Sequence, residues 1–481
     1  MTHLLLAGHG SHLNADSSEP FHRLAAALRA TGQFEAVTVA LWKEEPSLAR
    51  ALDAVTDPEV VVVPIFISTG YFTRTVVPRE MRLDGPLTIR DGQRIRYTPP
   101  VGTHPRLATV IIERALEAGA TAEDALVVLG HGTRRDSQSE KNVLAMADLV
   151  AARGLFAECG AVFIDQEPGM LTMLERFQAR RLFVVPLFIA EGWHVGETIP
   201  ADLALAGPET RRGGRIVHYT PPVGTHPSLA DVVLELARES LSSPPATAPQ
   251  PPAPSPQPRA PSLEQPTAIG ELVIEHGLVR GPGQPVRELP PDPEALRRAV
   301  RIADDGRYRP LSGARGLPSG WFARLTDHLT AGAAVEAVYP LATVHQRQHR
   351  DGTLRIVPLD EVLGRQSGRY QETAQLSPRG RQLVREALCG RCVRTPLWPL
   401  STSKLHTPHS QLQTPVSIPC PEPCSVLVAL AREALSWERE GTEPVPSDPA
   451  VPFAAFEEPG NEIREACLAA LLQPVDHGVP A

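Results

Sequence analysis

The chain has no apolar run approaching the roughly 20 residues that cross a bilayer, and its opening Met1-Thr2-His3 lacks the basic start of a secretory signal. It has no basic excess either: 47 Lys and Arg stand against 55 Asp and Glu, a formal net charge of −8. That balance excludes an overall electrostatic pull toward nucleic acid or an anionic membrane and leaves only a local basic patch. Cysteine is scarce, at six in 481 residues. Together these absences imply a cytoplasmic protein, in which disulfides are the least favoured use of those thiols. What is present is an apolar fraction of 42%, compatible with real cores, in a chain long enough for three units of ordinary domain size.

The phrase YTPPVGTHP occurs twice, at Tyr97 to Pro105 and again 122 positions later at Tyr219 to Pro227. The same offset sets Gly8-His9-Gly10-Ser11 on Gly130-His131-Gly132-Thr133, Glu45-Pro46 on Glu167-Pro168, and Pro64-Ile65-Phe66-Ile67 on Pro186-Leu187-Phe188-Ile189. One unbroken register over most of Met1 to Leu241 means that a whole unit is duplicated. Each copy alternates short β-branched runs with amphipathic stretches. His3–Ala7, Val60–Phe66 and Arg94–Tyr97, then Leu126–Leu129, Leu182–Ile189 and Ile216–Tyr219, read as strands. The runs VVVVPIF and LFVVPLF are apolar almost throughout, as parallel strands covered on both faces require. Glu19–Ala30, Leu107–Ala118, Asn142–Ala152 and Leu229–Ala237 carry helical spacing. The expected fold is α/β: two repeated parallel-sheet lobes, 1–120 and 121–241. The GHG and THP phrases follow strands and so face the cleft at the sheets' carboxyl ends, where ligands bind in such folds.

The two copies differ where chemistry is possible. Gly70-Tyr71-Phe72 aligns with Gly192-Trp193-His194, so only the second lobe holds a pair, His131 and His194. Neutral imidazole ligates borderline divalent metals and accepts protons near neutral pH. The plainer alternative is that these histidines cap a helix or satisfy turn carbonyls, a task both lobes would share. His104 and His226 sit in the phrase that both lobes keep unchanged, which favours structure over catalysis for them.

GHGTRRDS at Gly130 to Ser137, PLFIAEGWHVGETIP at Pro186 to Pro200 and YTPPVGTHP after each lobe resemble the sirohydrochlorin chelatases of the CbiX type. The resemblance covers the first half of the chain. It implies an ATP-independent lyase with two flavodoxin-like lobes, inserting Co²⁺ or Fe²⁺ into a modified tetrapyrrole in the cleft between them. It assigns catalysis and the substrate metal to His131 and His194. Among first-lobe counterparts His9 is retained, as a substrate-binding candidate, and Phe72 can neither ligate nor take a proton. The family's aspartate after the second histidine is Thr198 here, beside Glu197. Asp165 and Glu167 are further carboxylate candidates, with a helix start the simpler role for Glu167. Sirohydrochlorin carries eight carboxylates, so a cationic rim is expected, with Arg134 and Arg135 as its nearest candidates. The implied partners are a tetrapyrrole and a divalent metal, with neither nucleic acid nor membrane. Two lobes in one chain can close a cleft alone, so a monomer is allowed.

From Ser242 to Thr267 the chain holds ten prolines and too few apolar groups to fold, the composition of a semi-rigid linker at 242–267. The remainder, 268–481, reads as a smaller α+β domain: a helix at Pro293–Ile302, a hairpin at AVEAVYPLATV, a turn at Asp351-Gly352 before TLRIVPL, and a helix at Ser377–Leu388 with Ser as N-cap and Pro at N1. Cys389-x-x-Cys392 and Cys420-x-x-x-Cys424, with 27 residues between the pairs, form a four-thiolate candidate. A [4Fe–4S] cluster and structural Zn²⁺ compete for it. The uneven spacing, the Cys-Pro step and a helix beginning at Ser425 favour the cluster, whose negative charge suits a helix N-terminus. Long members of the family carry a C-terminal M-x-C-x-x-C motif, where this chain has Ala387. His406 and His409, between the pairs, are able to replace a thiolate. Cys159 and Cys467 read as isolated, buried small hydrophobes.

The resulting expectation is a cobaltochelatase of the anaerobic cobalamin route with an appended cluster domain. Iron insertion for sirohaem, and a carrier that binds tetrapyrrole or metal without turnover, are the alternatives.

Overall fold

The computed structural model describes residues 2–11, 17–132, 137–192, 194–242, 267–303, 308–312, 314, 316–366, 368–389, 392–398, 416–417 and 420–440. They divide into two compact units, Met1–Pro256 and Gln257–Ala481.

In the first lobe the order is β1 (Thr2–Gly8), α1 (Glu19–Ala30), β2 (Ala36–Leu41), β3 (Glu59–Pro64), α2 (Val77–Met81), β4 (Leu87–Arg90), β5 (Gln93–Tyr97) and α3 (Leu107–Glu117). The second repeats it: β6 (Ala125–Gly130), α4 (Ser137–Ala151), β7 (Glu158–Phe163), α5 (Met173–Arg176), β8 (Arg181–Pro186), α6 (Ile199–Asp202), β9 (Glu209–Arg212), β10 (Arg215–Tyr219) and α7 (Leu229–Ser242). The sheets run β2-β1-β3-β5-β4 and β7-β6-β8-β10-β9. Each is parallel except for its last strand, which forms an antiparallel hairpin with its neighbour. β3 is buried throughout and β8 nearly so, because helices and the partner lobe cover both sheet faces. The α/β reading therefore holds. The sequence reading passed over β2 and β7 and both hairpin edge strands.

The lobes are not independent layers. α3 packs on β8 and α4 of the second lobe, and α7 packs on β3, β5 and α1 of the first. One apolar core accordingly joins Leu4, Val61 and Ile111 to Leu126, Phe183 and Val233. Burying such an aliphatic side chain is worth about 1.5–3 kcal/mol, whereas a half-exposed ion pair gives about 0–1, so apolar contact dominates this junction. Polar pairs fix its register. His104 Nε2 lies 3.4 Å from Glu239 Oε1, and its counterpart His226 Nε2 lies 3.0 Å from Glu117 Oε1. Arg106 reaches Asp231 and Glu235 at 2.9 and 2.7 Å.

The doubled phrase is thus a structural element. Gly102 donates its N–H to Phe66 O and Gly224 its N–H to Phe188 O, both at 2.9 Å. A Cβ at either would lie about 2 Å from the carbonyl oxygen of Ile67 or Ile189. The tyrosine that opens the phrase donates its hydroxyl to Thr73 O in one lobe and Val195 O in the other, at 2.8 and 2.9 Å.

The second unit holds a third sheet, β11 (Thr267–Ile269), β12 (Leu272–Glu275), β13 (Leu278–Arg280), β14 (Arg287–Leu289) and, after α8 (Pro293–Arg301), β15 (Trp321–Arg324). Its order is β11-β12-β13-β15-β14, antiparallel apart from the β14–β15 pair. α9 (Ala331–Val338), α10 (Ala342–Arg350), α11 (Leu359–Gly364) and α12 (Pro378–Leu388) follow, then β16 (Leu397–Trp398), β17 (Val416–Ser417) and α13 (Ser425–Glu440). Ser377 caps α12 through Gly380 N–H at 3.0 Å. The hairpin expected at AVEAVYPLATV is instead the helical pair α9 and α10. Thr330 caps α9, and Ala334, Val335 and Val338 bury one helical face; alternating valines suggested strand, but alanine content and the cap decide. The proline-rich stretch beyond α7 lies outside the described residues until β11.

Candidate functional site

β6 and β8 are neighbours in the second sheet, and the chain leaves them on opposite sides of the point where strand order reverses. His131 directly follows β6. Gly132 after it has φ 72°, a left-handed conformation that glycine adopts without penalty, and the turn points its carbonyl back at the imidazole. His131 Nδ1 lies 2.7 Å from Gly132 O and 3.4 Å from Asp165 Oδ2. Donation from Nδ1–H to these oxygens leaves Nε2 with its lone pair free. His194 opens the π-helical turn His194–Thr198 after β8, the turn that the Tyr219 hydroxyl pins. The two imidazoles meet edge to face with centroids 4.8 Å apart.

Loss of water around its ring, then the neighbouring His131, hold His194 below the ordinary imidazole value, while Asp165 pulls the other way. Its ring nevertheless keeps exposed surface, and the His131 side chain is 40% exposed. His194 therefore leans neutral, and the pair is open to an incoming ligand. It can coordinate a cation through one ring while the other accepts a proton.

The first lobe builds the same frame with other groups. His9 Nδ1 lies 2.7 Å from Gly10 O, and the ring meets Phe72, which opens a π-helical turn of its own, at 4.9 Å. Phe66 stacks on Phe72 at 5.8 Å, with Trp42 and Tyr71 at its edges. Lys43 occupies the position of Asp165: Lys43 N–H donates to His9 O at 2.8 Å, and Asp165 N–H to His131 O at 3.0 Å. Crowding, then the Lys43 charge, lower the His9 pKa, against the Gly10 contact. Sequence reasoning missed this exchange of lysine for aspartate, although the 122-residue offset contains it.

Among the other candidates, Glu167 accepts from Gly169 N–H at 2.8 Å in an exposed turn that starts a short 3₁₀ segment. Arg134 and Arg135 lie outside the described residues. His104 and His226 are brought to the lobe junction, away from the imidazole pair.

In the second unit α12 and α13 pack together around an apolar cluster that includes Cys424. Cys389 terminates α12, its N–H donating to Arg385 O at 2.7 Å, and Cys424 precedes α13. Burial pushes the Cys424 thiol up to about 12. Burial, then Cys420 and Cys392, raise that of Cys389, so the four thiols share one electrostatic neighbourhood. Among the described residues no three His, Cys, Asp or Glu side chains are grouped to hold a single metal ion. The donor set still suits a cluster: four sulfurs that repel one another as thiolates need cations between them, and the buried Arg394 guanidinium already stands 3.4 Å from Cys420 Sγ. His406, His409 and Cys467 lie outside the described residues, and Cys159 is half-buried in β7, packed against the shared core.

Residues 3–118 and 125–240 match the CbiX family profile. Residues 351–433, which contain all four clustered cysteines, match the 4Fe-4S iron-sulfur cluster binding domain, and residues 280–350 the DR2241 stabilising domain. A probable sirohydrochlorin cobaltochelatase of Halobacterium salinarum is 39% identical over 268 residues, which span 50% of this chain and 92% of the relative. The sirohydrochlorin cobaltochelatase of Methanopyrus kandleri is 28% identical over 140 residues, 24% of this chain and 97% of the relative. Among solved structures, DR2241 of Deinococcus radiodurans, a multi-domain protein with structural similarity to chelatases and two additional novel domains, aligns with TM-score 0.73 at 26% identity over 91% of this chain and 99% of its own.

Proposed function

The chain belongs to the CbiX family, and from that premise we propose that it inserts Co²⁺ into sirohydrochlorin without ATP, on the cobalamin route, using His131 and His194. The observation that carries this reading is the edge-to-face imidazole pair at the carboxyl ends of β6 and β8. Insertion brings one divalent ion into the macrocycle and expels two pyrrole protons. The ion must lose water before the ring nitrogens replace it. His131, with Nδ1 held by Gly132 and Asp165, offers Nε2 to the ion; His194, whose pKa its surroundings lower, takes one proton as the first pyrrole nitrogen binds, and the second passes to solvent water. Positioned proton acceptors of this kind contribute about 10²–10⁴ in rate. A single imidazole nitrogen leaves most coordination positions open, so the substrate metal is held weakly enough to be released.

Arg134, Arg135 and His9 are proposed to engage the substrate carboxylates. Ligand preference differs little between Co²⁺ and Fe²⁺; the names of the curated relatives support cobalt. Cys389, Cys392, Cys420 and Cys424 are proposed to hold a [4Fe–4S] cluster, supported by the matched profile. When bound, such a group supplies one-electron transfer.

The test is the Co²⁺-dependent colour change of sirohydrochlorin with wild type, His131→Ala and His194→Ala. Turnover that survives both substitutions removes the assigned residues. Stoichiometric binding without turnover in the wild type makes the protein a carrier.

A further inference from the structure

Arg394 is a buried guanidinium, 8% exposed, in the segment that follows Cys392. Its Nη1 donates to Cys420 Sγ at 3.4 Å and to the Glu422 carbonyl oxygen at 2.9 Å. The Cys420 thiol in turn meets that same carbonyl at 3.1 Å. Three groups thus share one corner, and a thiol is a poor acceptor for a cation, whereas a thiolate is a strong one. A guanidinium out of water, aimed at a sulfur, is better matched to a liganded than to a free cysteine.

Resting on the reading of these cysteines as a cluster site, we propose that Arg394 is a positioning residue for that cofactor: it holds Cys420 in its ligand orientation and stabilises the added electron through an N–H···S bond. With dithionite as the one-electron donor, a cluster held by these cysteines would gain one electron and no proton, raising the negative charge beside the guanidinium by one. Hydrogen bonding and charge around the sulfurs are among the levers that set such potentials. A role confined to pinning the Glu422 carbonyl would leave the potential unchanged.

The test uses the full chain purified without oxygen as wild type, Arg394→Lys and Arg394→Gln, with iron and sulfide quantified and reduction by dithionite followed by EPR. Arg394→Gln should weaken the reduction equilibrium at least tenfold, about 59 mV more negative for a one-electron couple. Arg394→Lys should fall between. Wild-type potential and occupancy in Arg394→Gln overturn the proposal. Should neither variant retain iron, wild type grown on ¹⁵N-arginine decides: the reduced cluster should show a weakly coupled guanidinium nitrogen, and its absence overturns the assignment. Wild type that carries neither iron nor sulfide overturns the cluster reading, and this inference with it.

Discussion

His9 and Phe72 meet edge to face with centroids 4.9 Å apart, and His131 and His194 meet in the same way at 4.8 Å. In both lobes the histidine after the first strand is oriented by the next glycine's carbonyl, and in both the second ring opens a π-helical turn held by a tyrosine hydroxyl. What differs is chemical. The first lobe sets a phenyl ring and the Lys43 ammonium around its histidine; the second sets an imidazole and the Asp165 carboxylate. Each exchange makes the first lobe less hospitable to a cation. The comparison separates what the fold needs, which both copies keep, from the imidazole pair proposed to carry the reaction, which one copy keeps.

The largest break in that comparison is His194→Phe, which gives the second lobe the first lobe's ring. Insertion should fall at least ~100-fold, read from the disappearance of metal-free sirohydrochlorin absorbance, with the circular dichroism spectrum unchanged. Retained activity would show that the imidazole pair is not the working centre. The shared frame is probed by Gly102→Ala and Gly224→Ala. Each forces a methyl against a backbone oxygen and should cost about 1–3 kcal/mol, by a similar amount in each lobe, in urea unfolding. A cost in only one lobe would deny the phrase its common role. Lys43→Asp combined with Phe72→His rebuilds the second lobe's groups in the first. Calorimetric titration should then find two weak Co²⁺ sites per first unit in place of one; unchanged stoichiometry would mean that more than these two positions separates the lobes.

The smallest effect is on titration. In metal-free protein both His9 and His194 should protonate below the ordinary value of 6.5. His131→Ala should raise the His194 midpoint, by removing a neighbouring positive charge, and leave His9 unmoved; NMR of the ring Cε1–H resonances checks both. Insertion should persist somewhat below pH 6.5 and fail as pH drops through the folded value of His194, since only the neutral ring can accept the pyrrole proton. The unfolded imidazole takes its proton at higher pH than the folded one, so acid in the same range also favours unfolding.

Much of this was legible in the chain. The 122-residue register fixed the duplication, the apolar runs located β3 and β8, and the replacement of His194 by Phe72 marked the divergent site. The offset also aligned Lys43 with Asp165, but two charged residues in turns carried no sign that they flank an imidazole. Amphipathic spacing in α3 and α7 announced one buried face on each, yet periodicity cannot say which sheet will cover it, and each helix lies on the other lobe's. AVEAVYPLATV misled because its valines suit a strand when the Thr330 cap goes unread. Arg394 was invisible among 47 basic residues, since only the folded chain shows which of them meets a cysteine sulfur.

The crossing of α3 and α7 bears on why a lobe without the imidazole pair persists. Deleting it would strip β8 of the helix it borrows, leaving Phe183 and Val185 uncovered on that face. The first lobe can do without a second imidazole but not without its carpentry.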